Sequence, residues 1–278
     1  MTLDDDLSTT KSGLSAVGEL IKTAGNSPEA AEAATNLGKA AVTITKTINN
    51  ALLPLAAVNF AFDKARDYFS SQFQKDLEQK ASDIPQDKVV QPKASIAGPA
   101  LQGLAFTHEE ESLKEMYLNL LKTAMDGRVS EQAHPAFVEI IKQLSGEDAM
   151  LIKDVLQSAT ALPIVEIRSV KNGEQGWNLL HTHMVNFTDS KTGCAAENHQ
   201  MTAIIDNWIR LGLVTVDYNK HLIDSVSYAW IENRPEVLRY KEVAQGKNST
   251  LNFQNGILQR TALGEQFALA VGINPRNH

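Results

Sequence analysis

The stretch Thr107 to Gly127, THEEESLKEMYLNLLKTAMDG, decides the fold class. Leu113, Tyr117, Leu120, Leu121 and Ala124 recur at spacings of three and four, which puts them on one stripe of a helix. Thr107 and Glu110 have the spacing of a capping box, so the helix is expected to start there and to stop before Asp126-Gly127. Pro135 opens a second helix with Phe137, Ile140, Ile141 and Leu144 inward. Ser145-Gly146-Glu147-Asp148 opens a third, with Ala149, Ile152, Val155 and Leu156 inward. Short connections imply neighbouring helices, a central helical bundle over residues 107–160.

Toward the N-terminus, residues 1–81 read as an Ala-rich helical segment. Ser27-Pro28-Glu29 is a start signal, and Leu37, Ala40, Ala41 and Ile44 have helical spacing. Pro54 should break or kink the chain beyond it. Phe62, Ala65, Phe69, Phe73 and Leu77 mark the stripe of a further helix. Residues 82–106 carry Pro85, Pro92, Gly98 and Pro99 with little periodicity, and are expected to be an extended connector.

Past Pro163 the period changes from helical to alternating. Residues 164–170 and 177–187 read as strands on either side of a turn-rich loop. Met201, Ile204, Ile205, Trp208 and Ile209 outline an amphipathic helix within 197–211 that stops at Gly212, and residues 213–218 alternate again. Asn255-Gly256 is a hairpin signal between 251–254 and 257–260, and Thr261 can cap a last helix. Helix, strand, distant strand, helix is the order of a winged-helix-like module with a β insertion, here residues 161–278. The fold class expected is therefore mainly α, an N-terminal and central helical bundle followed by a small α+β module.

Composition bounds the function. The chain has 278 residues, 26 basic and 33 acidic side chains, and a net charge of −7. No segment carries the basic excess of a protein whose main task is holding nucleic acid. Cys194 is the one cysteine, which fits a reducing compartment and a cytoplasmic chain. The opening Asp4-Asp5-Asp6 has the wrong sign for a targeting peptide. The uncharged run 47–62 would reach about 24 Å at ~1.5 Å per residue, short of a ~30 Å hydrocarbon core. It also holds Asn49, Asn50, Asn59 and Pro54, which argues against a stable span.

Neither phosphate-loop nor dinucleotide glycine motifs occur, and neither His-Glu-x-x-His nor Gly-x-Ser-x-Gly is present. His181, His183, Cys194 and His199 form the one metal-like group. Their spacing matches no strong zinc signature, and Trp177, Leu179, Val185 and Phe187 share the parity of the first two. Packed histidines without zinc are the expectation. Glu109-Glu110-Glu111 reads as a solvated helix cap, and His134 before Pro135 as a cap. Cys194 has no neighbouring activating group in sequence. In the amphipathic helix Arg210 is the lone base-contacting cation, beside Asp206 and Asn207, which favours protein contacts over DNA. No catalytic, cofactor-binding or metal-binding residue is assigned, and no cofactor is expected.

The stretch 110–126, its continuation 134–145 (HPAFVEIIKQLS), and the looser segments Leu52-Leu53-Pro54-Leu55, 205–214 and 258–267 resemble the abortive infection alpha family, a bacterial family linked to phage defence. The resemblance covers about residues 50–270 and implies a defence role, with no established catalytic residues to carry over. The function expected is a non-enzymatic phage-defence protein working through a protein partner, an unknown host or phage factor, and able to form a homo-oligomer. The alternatives are a winged-helix DNA-binding regulator and a membrane-acting toxin using the N-terminal helices.

Overall fold

The computed structural model describes residues 59–276 apart from 174, 190 and 191. The helix expected after Ser27, the break at Pro54 and most of the uncharged run 47–62 lie outside the described residues. The fold is mixed α+β: helices and one four-stranded antiparallel sheet. Among the described residues no helix is long and apolar enough to cross a membrane. The described residues divide into two compact units, one within 59–149 with 270–272 and the other within 150–269 with 273–276.

The first unit is helical. Helices α1 (Asn59–Ser71) and α2 (Phe73–Ala81) carry the stripe expected of a single helix, broken at Gln72. Ala65, Phe73 and Leu77 are buried. Helix α3 (Ala94–Thr107) corrects the expected extended connector at 82–106: residues 82–93 hold turns, a 3-10 segment (Gln86–Lys88) and an isolated bridge at Val89, and Pro99 sits inside the helix. Proline there removes one intrahelical bond and costs about 3 kcal/mol. Burial of Ile96, Ala97, Ala100, Leu101, Leu104 and Ala105 offsets this, at about 1.5–3 kcal/mol for each large side chain.

Helix α4 (Glu111–Met125) buries all five residues of the stripe that identified it. Its start is not the expected capping box. Thr107 closes α3 instead, its Oγ1 donating to the Gly103 carbonyl at 3.1 Å, and Glu110 takes the N-cap position without a side-chain cap bond. A capping box exists further along, before α6 (Gly146–Gln157): Asp148 N–H donates to Ser145 Oγ at 3.0 Å, and Ser145 N–H donates to Asp148 Oδ2 at 2.9 Å. Between them α5 (Pro135–Ile141) begins at Pro135 as expected.

The second unit holds the sheet, in the order β2-β1-β4-β3. Strands β1 (Leu162–Lys171) and β2 (Asn178–Met184) fall on the two segments expected to be strands, β2 ending at Met184 where the alternation runs to Phe187, and they pair antiparallel. Helix α7 (Met201–Arg210) buries Met201, Ile204, Ile205 and Trp208, while Ile209 is exposed. It ends at Gly212, whose φ of 72° reverses the chain at little cost. Strand β3 (Val214–Asp217) comes next, then a 3-10 segment at Ser225–Asn233 and helix α8 (Pro235–Gly246).

The hairpin expected at Asn255-Gly256 does not form. Residues 249–260 are one continuous strand, β4 (Ser249–Arg260), which pairs with β1 along its length and with β3 at its end. A side chain explains the glycine: a Cβ on Gly256 would stand 2.5 Å from Cδ1 of Tyr218. Glycine inside a strand here marks close approach, not a turn. Thr261 then caps the last helix, α9 (Ala262–Ala270), accepting from Gly264 N–H at 2.9 Å. One face of the sheet packs Val165, Ile167 and Met184 against Tyr228, Ile231 and Val237.

Candidate functional site

The polar groups of the second unit gather around β2, an edge strand. Its pairing with β1 steps from Val165↔Met184 to Ile167↔His181 and then Arg168↔Leu179, so β2 carries extra residues in two places. These irregularities break the strict alternation on which a shared face for His181 and His183 depends. His183 also adopts a φ of 57°, left-handed backbone that non-glycine residues rarely take.

The two imidazoles are consequently held by different elements. His183 lies between Tyr218 and Asp206: its Nδ1 is 2.9 Å from Tyr218 Oη and its Nε2 is 3.1 Å from Asp206 Oδ1. The His183 N–H also donates to Tyr218 Oη, at 3.1 Å. With the phenol donating to Nδ1 and Nε2–H donating to the carboxylate, one tautomer satisfies the whole chain of bonds. Burial raises the Tyr218 pKa above the ordinary phenol value, which keeps the hydroxyl protonated for this role.

His181 is half-buried beside Tyr240 of α8, with ring centroids 6.2 Å apart. Desolvation lowers its pKa, and Glu236 and Glu197 oppose that shift. With His183, Val185, Phe187, Asn198, Met201, Arg234 and Glu236 it lines a crevice whose inner space is about 10 Å³. That is the lower limit for one water and far below a metabolite-sized pocket.

Arg234 and Glu236 are residues that pattern and spacing do not single out. Both are buried, at 1% and 4% exposure. Arg234 Nε and Nη2 donate to the two Glu236 carboxylate oxygens at 3.0 and 2.6 Å, a bidentate pair. Nη2 also donates to the Ala196 carbonyl at 2.7 Å, and Nη1 donates to the Phe187 carbonyl. Arg234-Pro235-Glu236 at a helix start is the available signal, since Pro235 fixes the turn that lets residues 234 and 236 face each other. Such a signal reads first as an ordinary helix cap.

The remaining sequence candidates are scattered. Cys194 is exposed, its thiol donating to the Thr192 carbonyl at 3.6 Å. His199 is exposed and lies 3.2 Å from Glu197. Among the described residues no three His, Cys, Asp or Glu side chains converge as a metal site. His134 caps α5, its Nδ1 accepting from Ala136 N–H at 3.1 Å. Of the acidic run, Glu109 pairs with Lys64 at 2.5 Å and Glu111 with Lys114 at 2.7 Å. In α7, Arg210 donates to Asn207 at 2.7 Å, while Asp206 faces His183.

Chemically, the site is a set of polar groups that satisfy one another. The buried guanidinium is filled by one carboxylate and two carbonyls, and His183 is filled on both nitrogens.

No curated protein and no solved structure matches the chain. The family model described as abortive infection alpha matches residues 65–271, a span that takes in α4, α5, the sheet and the Arg234–Glu236 pair. The chain therefore belongs to the abortive infection alpha family.

Proposed function

We propose that this is a bacterial phage-defence protein of the abortive-infection type that acts in the cytoplasm through protein contacts, without a catalytic centre of its own. The observation that carries the defence role is family membership over residues 65–271. The contact mechanism is supported by the way the polar groups around β2 are used. Arg234, Glu236, His183 and Tyr218 bond to one another and to backbone, a pattern suited to fixing a surface. We read α7, β3, β4 and α9 as a winged-helix-like module serving protein recognition. Its helix α7 offers Arg210 as the one cation, and that side chain is engaged with Asn207. Self-association into a homo-oligomer, most simply a symmetric dimer, belongs to the same reading.

The test is phage plaquing on cells carrying the gene with its native neighbours, against the same cells with the gene deleted. Reduced plaquing with early death of infected cells is expected. Equal plaquing across a broad phage panel would overturn the defence role. Salt-sensitive retention on DNA would instead favour a regulator, and leakage of liposomes a toxin.

A further inference from the structure

The chain holds two Asn-Gly pairs, Asn172-Gly173 and Asn255-Gly256, and the fold treats them oppositely. This dipeptide is chemically labile, because a residue without a Cβ lets its main-chain nitrogen reach the side-chain carbonyl of the asparagine before it. Attack requires an accessible nitrogen and a backbone free to turn toward that side chain.

Asn172 meets both requirements. It follows the last residue of β1 and is exposed together with Gly173, which takes a φ of 84° with open space where a Cβ would stand. The Gly173 N–H donates to no acceptor among the described residues. Asn172 itself donates from its N–H to the Asn248 carbonyl at 3.1 Å and from Nδ2 to Asn248 Oδ1 at 2.9 Å, and neither bond engages the Gly173 nitrogen.

Asn255 meets neither requirement. It lies inside β4 opposite Val165, and Gly256 is buried opposite Ile164 with its carbonyl accepting from Tyr228 Oη at 2.8 Å. Extended backbone turns the Gly256 nitrogen away from the Asn255 side chain, and Tyr218 packs where Gly256 lacks a Cβ. Reaction there must wait for the ladder to open.

We propose that Asn172 is a site of spontaneous deamidation and that β4 shields Asn255 from the same reaction. The Gly173 nitrogen bonds to Asn172 Cγ, the Cγ–Nδ2 bond breaks, and ammonia leaves with the proton that the main-chain nitrogen gives up. Water then opens the cyclic imide at either carbonyl. One opening yields aspartate. The other yields isoaspartate, in which the main chain runs through the former side chain, and both products gain a negative charge. Both also end the Nδ2 donation to Asn248, at the junction between the end of β1 and the start of β4.

The experiment is peptide mapping by mass spectrometry of the full chain aged in mildly alkaline buffer, with isoaspartate scored separately, and of the same chain aged in guanidinium chloride. In the folded chain Asn172 should convert at least about tenfold faster than Asn255, the ratio being set by the opening free energy of β4. In guanidinium chloride that ratio should collapse toward one. A folded-state ratio below that, or a ratio that persists in the unfolded chain, would overturn the proposal. Neither arm depends on the defence role.

Discussion

Tyr218 Oη lies 2.9 Å from His183 Nδ1, although Tyr218 comes just after β3 and His183 belongs to β2, strands at opposite ends of the sheet order β2-β1-β4-β3. The phenol ring reaches across the face because Gly256 in β4 leaves room for it. The Gly256→Ala variant removes that room, placing a methyl 2.5 Å from the ring. It should destabilise the protein by about 1–3 kcal/mol, the usual cost of overpacking. Tyr218→Phe keeps the ring and leaves the His183 N–H without its acceptor, costing about 1 kcal/mol. Urea unfolding of both variants checks the order.

Arg234→Met should cost more than either, about 3–5 kcal/mol, because it strands the Glu236 carboxylate in a buried site. Replacing both partners with apolar residues should cost less than the single change. Chemical denaturation of the single and double variants measures this directly.

The Arg128 guanidinium hydrogen-bonds Asp126 and, with the Arg128 backbone N–H, holds its carboxyl below the usual carboxylate range. A depressed pKa in the folded state adds stability that is complete above about pH 4 and is lost as pH falls through the lowered value. Asp126→Asn should therefore flatten part of the acid limb of stability against pH. Thermal melts from pH 7 to pH 2 test the sign, and a steeper acid limb in the variant would contradict it.

Much of this fold is legible in the sequence because single helices declare themselves through spacing. Leu113, Tyr117, Leu120, Leu121 and Ala124 lie where a 3.6-residue period puts them. What escapes such reading is set by distant partners. Pro99 and the glycines around it look like a connector, yet tertiary burial makes them helix. Asn255-Gly256 has hairpin chemistry, but the glycine answers to Tyr218, which lies far away in sequence. Thr107 has the spacing of a capping box and instead bonds backward to Gly103. In the site, His181 and His183 are visible from sequence, whereas their separation requires the irregular register of β2. Arg234 and Glu236 stay hidden because a charged pair flanking a proline reads as a cap until its burial is known.

Leu120 has no exposed surface within α4, so Leu120→Asp places an unpaired charge in the core. A loss of about 4 kcal/mol or more is expected, enough to unfold a marginally stable domain. Soluble abundance and circular dichroism of the variant report it, and a folded, abundant Leu120→Asp protein would contradict the packing of the helical unit.

The central claim, defence by contact without catalysis, is tested most directly by plaquing efficiency across a set of single variants in the native gene context. Alanine changes at His108, His134, His181 and Cys194 remove three imidazoles and the one thiol of the chain, and Leu120→Asp serves as the unfolded control. Protection is predicted to persist in all four alanine variants at normal abundance and to vanish in Leu120→Asp. A variant among the four that stays folded and abundant yet loses all protection would contradict the claim.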